Sequence, residues 1–316
     1  LLAAEIIDEI PRDLRPHVID GLASFGTPEI ANFLHVLKEE YGKEIEAACN
    51  RGLEKLQMKG FVGALPVGGE KRFFGAYVTR TRHTGQVTLD VAWLNHEGLL
   101  DVECFFLSYN ADGIHGFFVI SEMPTADYEA DRRMLPDMVR ISYEEACFMI
   151  KEAFSYNIRY MTRPALGKFL YRKYLDAESV LDGKARPDLI LRLRPPLEPR
   201  ELVNTFFYAQ RHQDHSLIAS LLIPDDGIRE AILSELQEVL KPAVMLVEGQ
   251  AAEVEVSGRR STVKAGSIHV EEERLYRSDY VFQLVQEDGY WFISAVQREG
   301  FRPINENREE TPFQDM

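Results

Sequence analysis

Cysteine is scarce in this chain: Cys49, Cys104 and Cys147 are the three in 316 residues, odd in number and far apart. That excludes a disulfide framework and a CxxC zinc site, and their apolar neighbours predict reduced, buried thiols. Long apolar runs are missing too. None reaches the ~18–20 residues a membrane-spanning helix needs. Leu1–Ala4, followed by Glu5 and Asp8, is too short for the core of a secretion signal. A cytoplasmic protein without a membrane anchor is expected. Positive charge is in deficit, with 36 basic residues against 51 acidic ones and a net charge of −15. Such a balance disfavours non-specific binding to nucleic acid or anionic lipid. No P-loop, GxGxxG, GxSxG or HExxH pattern is present. His83, His96 and His115 do not fall at metal-ligand spacing and read as surface histidines. No cofactor and no metal is expected.

What is present is a chain of several parts. Residues 197–316 carry 12 basic and 22 acidic groups, whereas residues 63–196 carry 17 and 18, so the charge balance shifts near Leu197. Residues 1–62 read as helices at Pro16–Phe25, from Pro28 with Ile30, Phe33, Leu34 and Leu37 on one face, and at Lys43–Met58. Thr27 is placed to cap the second, with Pro28 in its first turn. From Lys71 the period changes to two, giving strands at Phe74–Thr81, Val87–Leu94, Val102–Ser108 and Ile114–Ile120. Ser142 and Glu145 form a capping box ahead of a helix that runs to about Tyr160. Residues 63–182 are therefore expected to be an antiparallel sheet with helices on one face. Residues 183–197, rich in Pro and charge, read as a linker, and 301–316 as an acidic tail. The fold class is multi-domain α+β, with a third domain at 198–300.

That last third opens with an amphipathic helix, Pro199–His212, and a short second one that Asp214 can cap; a third runs from Gly227 to Leu240. Strands follow at Ala243–Val256, Ser261–Glu273, Tyr280–Gln286 and Tyr290–Gln297, the last pair joined at Glu287-Asp288-Gly289. Leu202-Val203-Asn204-Thr205-Phe206-Phe207-Tyr208-Ala209, Asp214 and Leu221, then Tyr280–Val285 and Asp288–Ile293, resemble the opening helices and closing hairpin of the nuclear transport factor two-like (cystatin-like) superfamily. The resemblance implies a curved antiparallel sheet wrapped round helices into a cone, often dimerising through the sheet. The superfamily spans isomerases, cyclases, dehydratases and non-catalytic binding modules, so the fold alone does not name a function. The paired helices with a Gly26-Thr27-Pro28 turn resemble HEAT-type repeats, which would make residues 1–62 a surface for a protein partner.

The residues that would line a pocket in the cone are Tyr208, His212, His215, Tyr280 and Trp291. His212, Asp214 and His215 are the densest titratable cluster; they read as a helix cap beside two exposed histidines, or as a base and metal ligands. Strand alternation puts Val254, Val256, Trp291, Ile293 and Ala295 on the core face, Glu253 and Glu255 on the other, and His269, Glu271 and Glu273 near a wet strand end. No acid then faces the interior, so the leading expectation is a non-catalytic protein-interaction or small-ligand-binding module, with a homodimer formed through the C-terminal sheet. The alternatives are an isomerase-, dehydratase- or cyclase-like enzyme using the cone, and nucleic-acid binding through Arg159–Tyr174. That stretch carries Arg159, Arg163, Lys168, Arg172 and Lys173 with interleaved tyrosines and no acid.

Overall fold

The computed structural model describes residues 6–65, 71–135, 137–176, 186–236 and 245–304. The chain divides into two units. The first comprises 1–77, 88–108 and 112–181, and the second 78–87, 109–111 and 182–316.

The first unit begins with three helices, α1 (Arg15–Phe25), α2 (Pro28–Tyr41) and α3 (Glu46–Met58). Thr27 caps α2, its hydroxyl accepting from the Ile30 N–H at 3.4 Å, with Pro28 in the first turn as the spacing predicts. Ile19, Ala23, Leu34, Leu37, Cys49 and Leu56 close one small core, which Leu166 also joins. Expected HEAT-like stacking is not supported: after Met58 the chain leaves for strands, and a solenoid is built from several stacked units. Residues 1–62 fall in the same unit as the sheet that follows.

That sheet has five strands in the order β4-β3-β2-β1-β5: β1 (Arg72–Thr79), β2 (Gln86–Leu94), β3 (Leu99–Ser108), β4 (Gly113–Pro124) and β5 (Met138–Ile141). Helices cover both of its faces, not one. Even positions of β3, Leu100, Val102 and Cys104, pack with Tyr128 of α4 (Thr125–Met134). Odd positions face α5 (Tyr143–Tyr160) and α6 (Lys168–Leu175), Phe105 lying 5.9 and 5.7 Å from the Tyr171 and Tyr174 rings. Period-two alternation makes this two-sided packing available: the even set is apolar, and the odd set buries Phe105 together with Glu103, which Lys173 and Tyr174 satisfy. The capping box at α5 forms as expected: Ser142 Oγ accepts from the Glu145 N–H at 3.2 Å, and Glu145 accepts from the Ser142 N–H at 2.8 Å. All three cysteines are buried free thiols, and burial pushes Cys49 up to about 11.

In the second unit, Pro187 starts a short helix, α7 (Pro187–Arg192), and Leu189, Ile190, Leu193, Arg194 and Leu197 are buried. Residues 186–197 are thus packed structure, not the linker their proline content suggests; residues 177–185 lie outside the described residues. Helices α8 (Pro199–Arg211), α9 (His215–Leu221) and α10 (Asp226–Glu235) follow, then β6 (Met245–Ser257), β7 (Arg260–Glu271), β8 (Arg274–Glu287) and β9 (Tyr290–Pro303), an antiparallel meander in chain order. The expected end of α10 at Leu240 and the tail after Ile304 also lie outside the described residues. The β8–β9 turn places Asp288 and Gly289 at φ +48° and +83°, the conformation for which its glycine was singled out.

Candidate functional site

The helix α8 lays Phe206 and Phe207 on one face of the β6–β9 sheet. Phe206 sits 5.4 Å from Phe282, and Phe207 sits 6.0 Å from Tyr280. Gly249 of β6 permits the approach, because a Cβ there would lie 2.5 Å from the Phe207 ring. The same face carries alternate residues of β7 (Ser261, Val263, Ala265, Ser267, His269) and of β8 (Tyr276, Ser278, Tyr280, Phe282, Leu284). In the register, Ala265 pairs with Tyr280, Ser267 with Ser278, and His269 with Tyr276. Directly opposed residues hold their Cβ atoms about 4.5–5.5 Å apart and diagonal ones about 7–8 Å. Ser267, Ser278, His269 and Tyr280 therefore form one polar patch beside the apolar Val263, Ala265, Phe282 and Leu284.

All four are buried, yet Ser267 Oγ, Ser278 Oγ, His269 Nδ1 and Tyr280 Oη have no hydrogen-bond partner among the described residues. Leaving a buried donor or acceptor unmet costs about 1–3 kcal/mol each, so the patch is expensive if it serves folding alone. His269 stacks between rings, 5.9 Å and 20° from Tyr276 and 5.8 Å and 27° from Phe301, whose own ring is 45% exposed and marks the open side. Burial holds the imidazole below its ordinary value of 6.5, opposed by Glu271 and reinforced by Arg298. At neutral pH it is uncharged, offering one donor and one acceptor.

No carboxylate shares this row among the described residues. Glu253 and Glu255 point away, as the alternation predicts, Glu253 meeting Lys264 at 2.8 Å in solvent. Trp291 and Ile293 are buried as expected, but Ala295 is exposed. A register irregularity near Gln283 and Leu284 shifts the phase, and Val296 turns inward instead.

The other sequence candidates separate. Tyr280 belongs to the patch. Trp291 pairs with Gln286, close to the β8–β9 turn and far along the strands from Ser278. Tyr208 and His212 lie together, ring centres 4.6 Å apart, with Tyr208 against Gly85, where a Cβ would fall 2.1 Å from its hydroxyl. His215 is exposed, but His212 is half-buried and burial lowers its pKa. His83 is half-buried as well, not the surface histidine its turn position suggests. Asp214 is buried: it caps α9 by accepting from the Leu217 N–H at 3.0 Å, and accepts from Arg82 Nη1 and Nη2 at 2.5 and 2.9 Å. With its oxygens committed to Arg82 and the cap, it is not placed as a metal ligand. No group of three or more potential ligands clusters among the described residues.

In the first unit the basic stretch meets acids brought from elsewhere in the chain. Arg163 pairs with Asp8, Arg172 with Glu39 and Asp176 at 3.4 and 3.0 Å, and Lys173 with buried Glu103 at 2.7 Å. Glu103 also accepts from Tyr174 Oη and Trp93 Nε1. Arg159 lies over Tyr156, 4.9 Å from the ring centre, and Lys168 lies 5.8 Å from that of Phe154. The five cations do not form one unpaired face.

Sequence reasoning missed Ser267 and Ser278, and placed His269 in water. The signal was present as Ser261-x-Val263-x-Ala265-x-Ser267-x-His269, a period-two row whose polar members interrupt an inward face.

No protein-family model matches the chain, and no curated protein matches it. Three solved structures share partial likeness. A SEC-C motif-containing protein from Rhodopseudomonas palustris is 17% identical over 34% of this chain and 82% of its own, at a TM-score of 0.30. A type 2 hexachlorocyclohexane dehydrochlorinase (LinA) is 19% identical over 35% of this chain and 90% of its own, at 0.26. A cystatin-like protein from Ruminococcus gnavus is 11% identical over 96% of this chain and 82% of its own, at 0.23. These are weak neighbours, and they carry no argument about chemistry.

Proposed function

We propose that the second unit is a small-ligand-binding module, its ligand seated on the α8-covered face of the sheet against Ser267, Ser278, His269 and Tyr280. The observation that carries this is that these four buried polar atoms, clustered on one face that also holds Ser261 Oγ farther along β7, have no hydrogen-bond partner among the described residues. Hydroxyls and a neutral imidazole suit a compact molecule bearing both donors and acceptors, while Phe207 and Phe282 supply apolar walls. A ligand that satisfied these groups would recover the cost of their burial, which makes the site selective for polar complementarity.

The test pairs binding with stability. A fragment library screened by ligand-observed NMR against the whole chain is expected to give hits that vanish in Ser267→Ala/Ser278→Ala. The same variant is expected to melt several degrees higher, because it removes two unmet hydroxyls. A lower melting point would mean the hydroxyls are satisfied within the fold, and the reading would fail.

A second reading, catalysis at this patch, draws on neutral His269 as the one general base in the row. Turnover of a bound hit that rises with pH through a single ionisation, and is lost in His269→Gln, would favour it.

A further inference from the structure

In the second unit, three segments bring basic groups together at a place the ligand reading above does not use. Arg80, Arg82 and His83 lie on the first, and Leu193 and Arg194 on the second. The Arg82 N–H joins them by donating to the Leu193 carbonyl at 3.0 Å. Tyr290 opens β9, paired with Glu287 beside the β8–β9 turn and at the far end of β8 from Ser278. Arg80 Nη2 donates to the Arg194 carbonyl at 3.2 Å and to Tyr290 Oη at 3.0 Å. The Arg194 guanidinium lies 5.5 Å from the centre of the same ring. Two guanidinium groups thus share one phenol.

Asp214 matches Arg82, but neither Arg80 nor Arg194 has a carboxylate within 4 Å among the described residues. Glu201 and Glu287, the acids nearest in the fold's connections, are exposed, and Glu201 is committed to the cap of α8. Carbonyls accept from Arg194 Nη1 and Nη2 at 3.4 and 3.3 Å, long for bonds from a guanidinium, and they supply no opposite charge. A fully buried cation without a counter-charge is costly to the fold. Donors are also unmet: Arg80 Nε, Arg194 Nε and His83 Nδ1 are buried atoms without a hydrogen-bond partner among the described residues. Burial and the Arg194 charge hold His83 below its ordinary 6.5. At neutral pH its uncharged ring can carry the one proton on Nδ1. Arg80, His83 and Tyr290 are each half-buried, which leaves the group open to solvent on their side. We propose that these residues bind a small tetrahedral oxyanion of the phosphate class, seated on Arg80 Nε and His83 Nδ1, with the Tyr290 hydroxyl alongside and the Arg194 charge behind. Such an ion supplies both the acceptors these donors lack and the negative charge that Arg194 lacks. Donors from three segments suit four oxygens in a tetrahedron, whereas a carboxylate offers two in one plane.

The probe is inorganic phosphate, titrated calorimetrically into the full chain at fixed ionic strength and pH 7.5. Saturable binding is expected, weakened about tenfold or more in Arg80→Gln and severalfold in Tyr290→Phe, which keeps the ring over Arg194. Both positions are half-buried, so the variants are expected to keep the wild-type circular dichroism. Ser267→Ala/Ser278→Ala should bind phosphate as the wild type does, which separates this site from the sheet patch. A second measurement needs no variant at the arginines. Phosphate should raise the His83 pKa, followed by the Cε1–H proton resonance that His83→Gln removes, because a bound anion favours the imidazolium. Displacement of phosphate by methyl phosphate would support the head group of a monoester as the source, and its failure to displace would support the free ion. No saturable binding, unaltered affinity in folded Arg80→Gln, an unmoved His83 resonance, or equal affinity for acetate would overturn the proposal.

Discussion

Arg82 and Asp214 are both wholly buried, and the pair works as a unit. The guanidinium rests on the Tyr109 ring at 3.5 Å and donates twice to a carboxylate that also caps α9. Desolvating two ions costs several kcal/mol, and their bidentate geometry and the cap offset that cost only while both partners are present. Asp214→Ala should therefore destabilise the chain by roughly 3–5 kcal/mol in urea denaturation, since it strands a buried cation. Arg82→Met/Asp214→Leu should recover a large part of the loss. If the double variant is no better than Asp214→Ala, the cap and not the ion pair carries the stability. Arg194 is a different case. It is equally buried, donates to the Ser220 and Pro195 carbonyls at 3.3 and 3.4 Å, and burial lowers its pKa to about 10. There a guanidinium serves backbone carbonyls, one of them in the last turn of α9, rather than an acid.

At the scale of elements, the closing hairpin shows how a strand is held in register. Trp291 and Ile293 are buried and Leu222 bridges to Ile293, while the neighbouring β6–β7 edge carries the exposed Glu253–Lys264 pair. Trp291→Ala removes a large buried ring and should cost about 3–5 kcal/mol. Glu253→Gln should leave the denaturation midpoint where it is, because that pair is fully solvated. Urea titration of the two variants decides the point; a near-neutral Trp291→Ala would mean that β9 is not packed as described.

Over the whole molecule, three half-buried or buried histidines of the second unit, His83, His212 and His269, share one electrostatic sign. Burial is the leading cause in each and lowers the folded-state pKa below the ordinary 6.5. The unfolded chain therefore takes up protons first as pH falls. Their contribution to stability is intact above about pH 6.5 and is lost progressively below it, toward the lowered folded values. The drop in urea midpoint between pH 7.5 and 5.5 should shrink in His269→Gln and shrink further in His83→Gln/His212→Gln/His269→Gln. An unchanged drop in the triple variant would assign the pH dependence to carboxylates instead.

Local chemistry by itself determined most of the helices and strands, though not α4, β5 or α7, and several of their boundaries. Thr27, Ser142 and Asp214 cap helices where their spacing says they should, and Asp288-Gly289 turns the last hairpin. These signals are legible because a cap, a turn or a two-residue period is satisfied within a few residues of itself. What only the tertiary structure decided is which distant groups meet. Arg82 lies 132 residues from Asp214, and Lys173 lies 70 from the Glu103 it pairs with, so a stretch that reads as basic is largely neutralised in the fold. Prolines in 183–197 look like a linker, yet Pro187 begins a helix, because Leu189 and Ile190 find a core to enter. Ala295 and Val296 exchange faces through one register irregularity that no periodicity announces. Ser267 and Ser278, eleven positions apart in the sequence, become a polar pair on an apolar face only when β7 and β8 take their register. Register and burial are energies of the assembled sheet rather than of any residue, and for that reason the site is read from the fold and not from the chain.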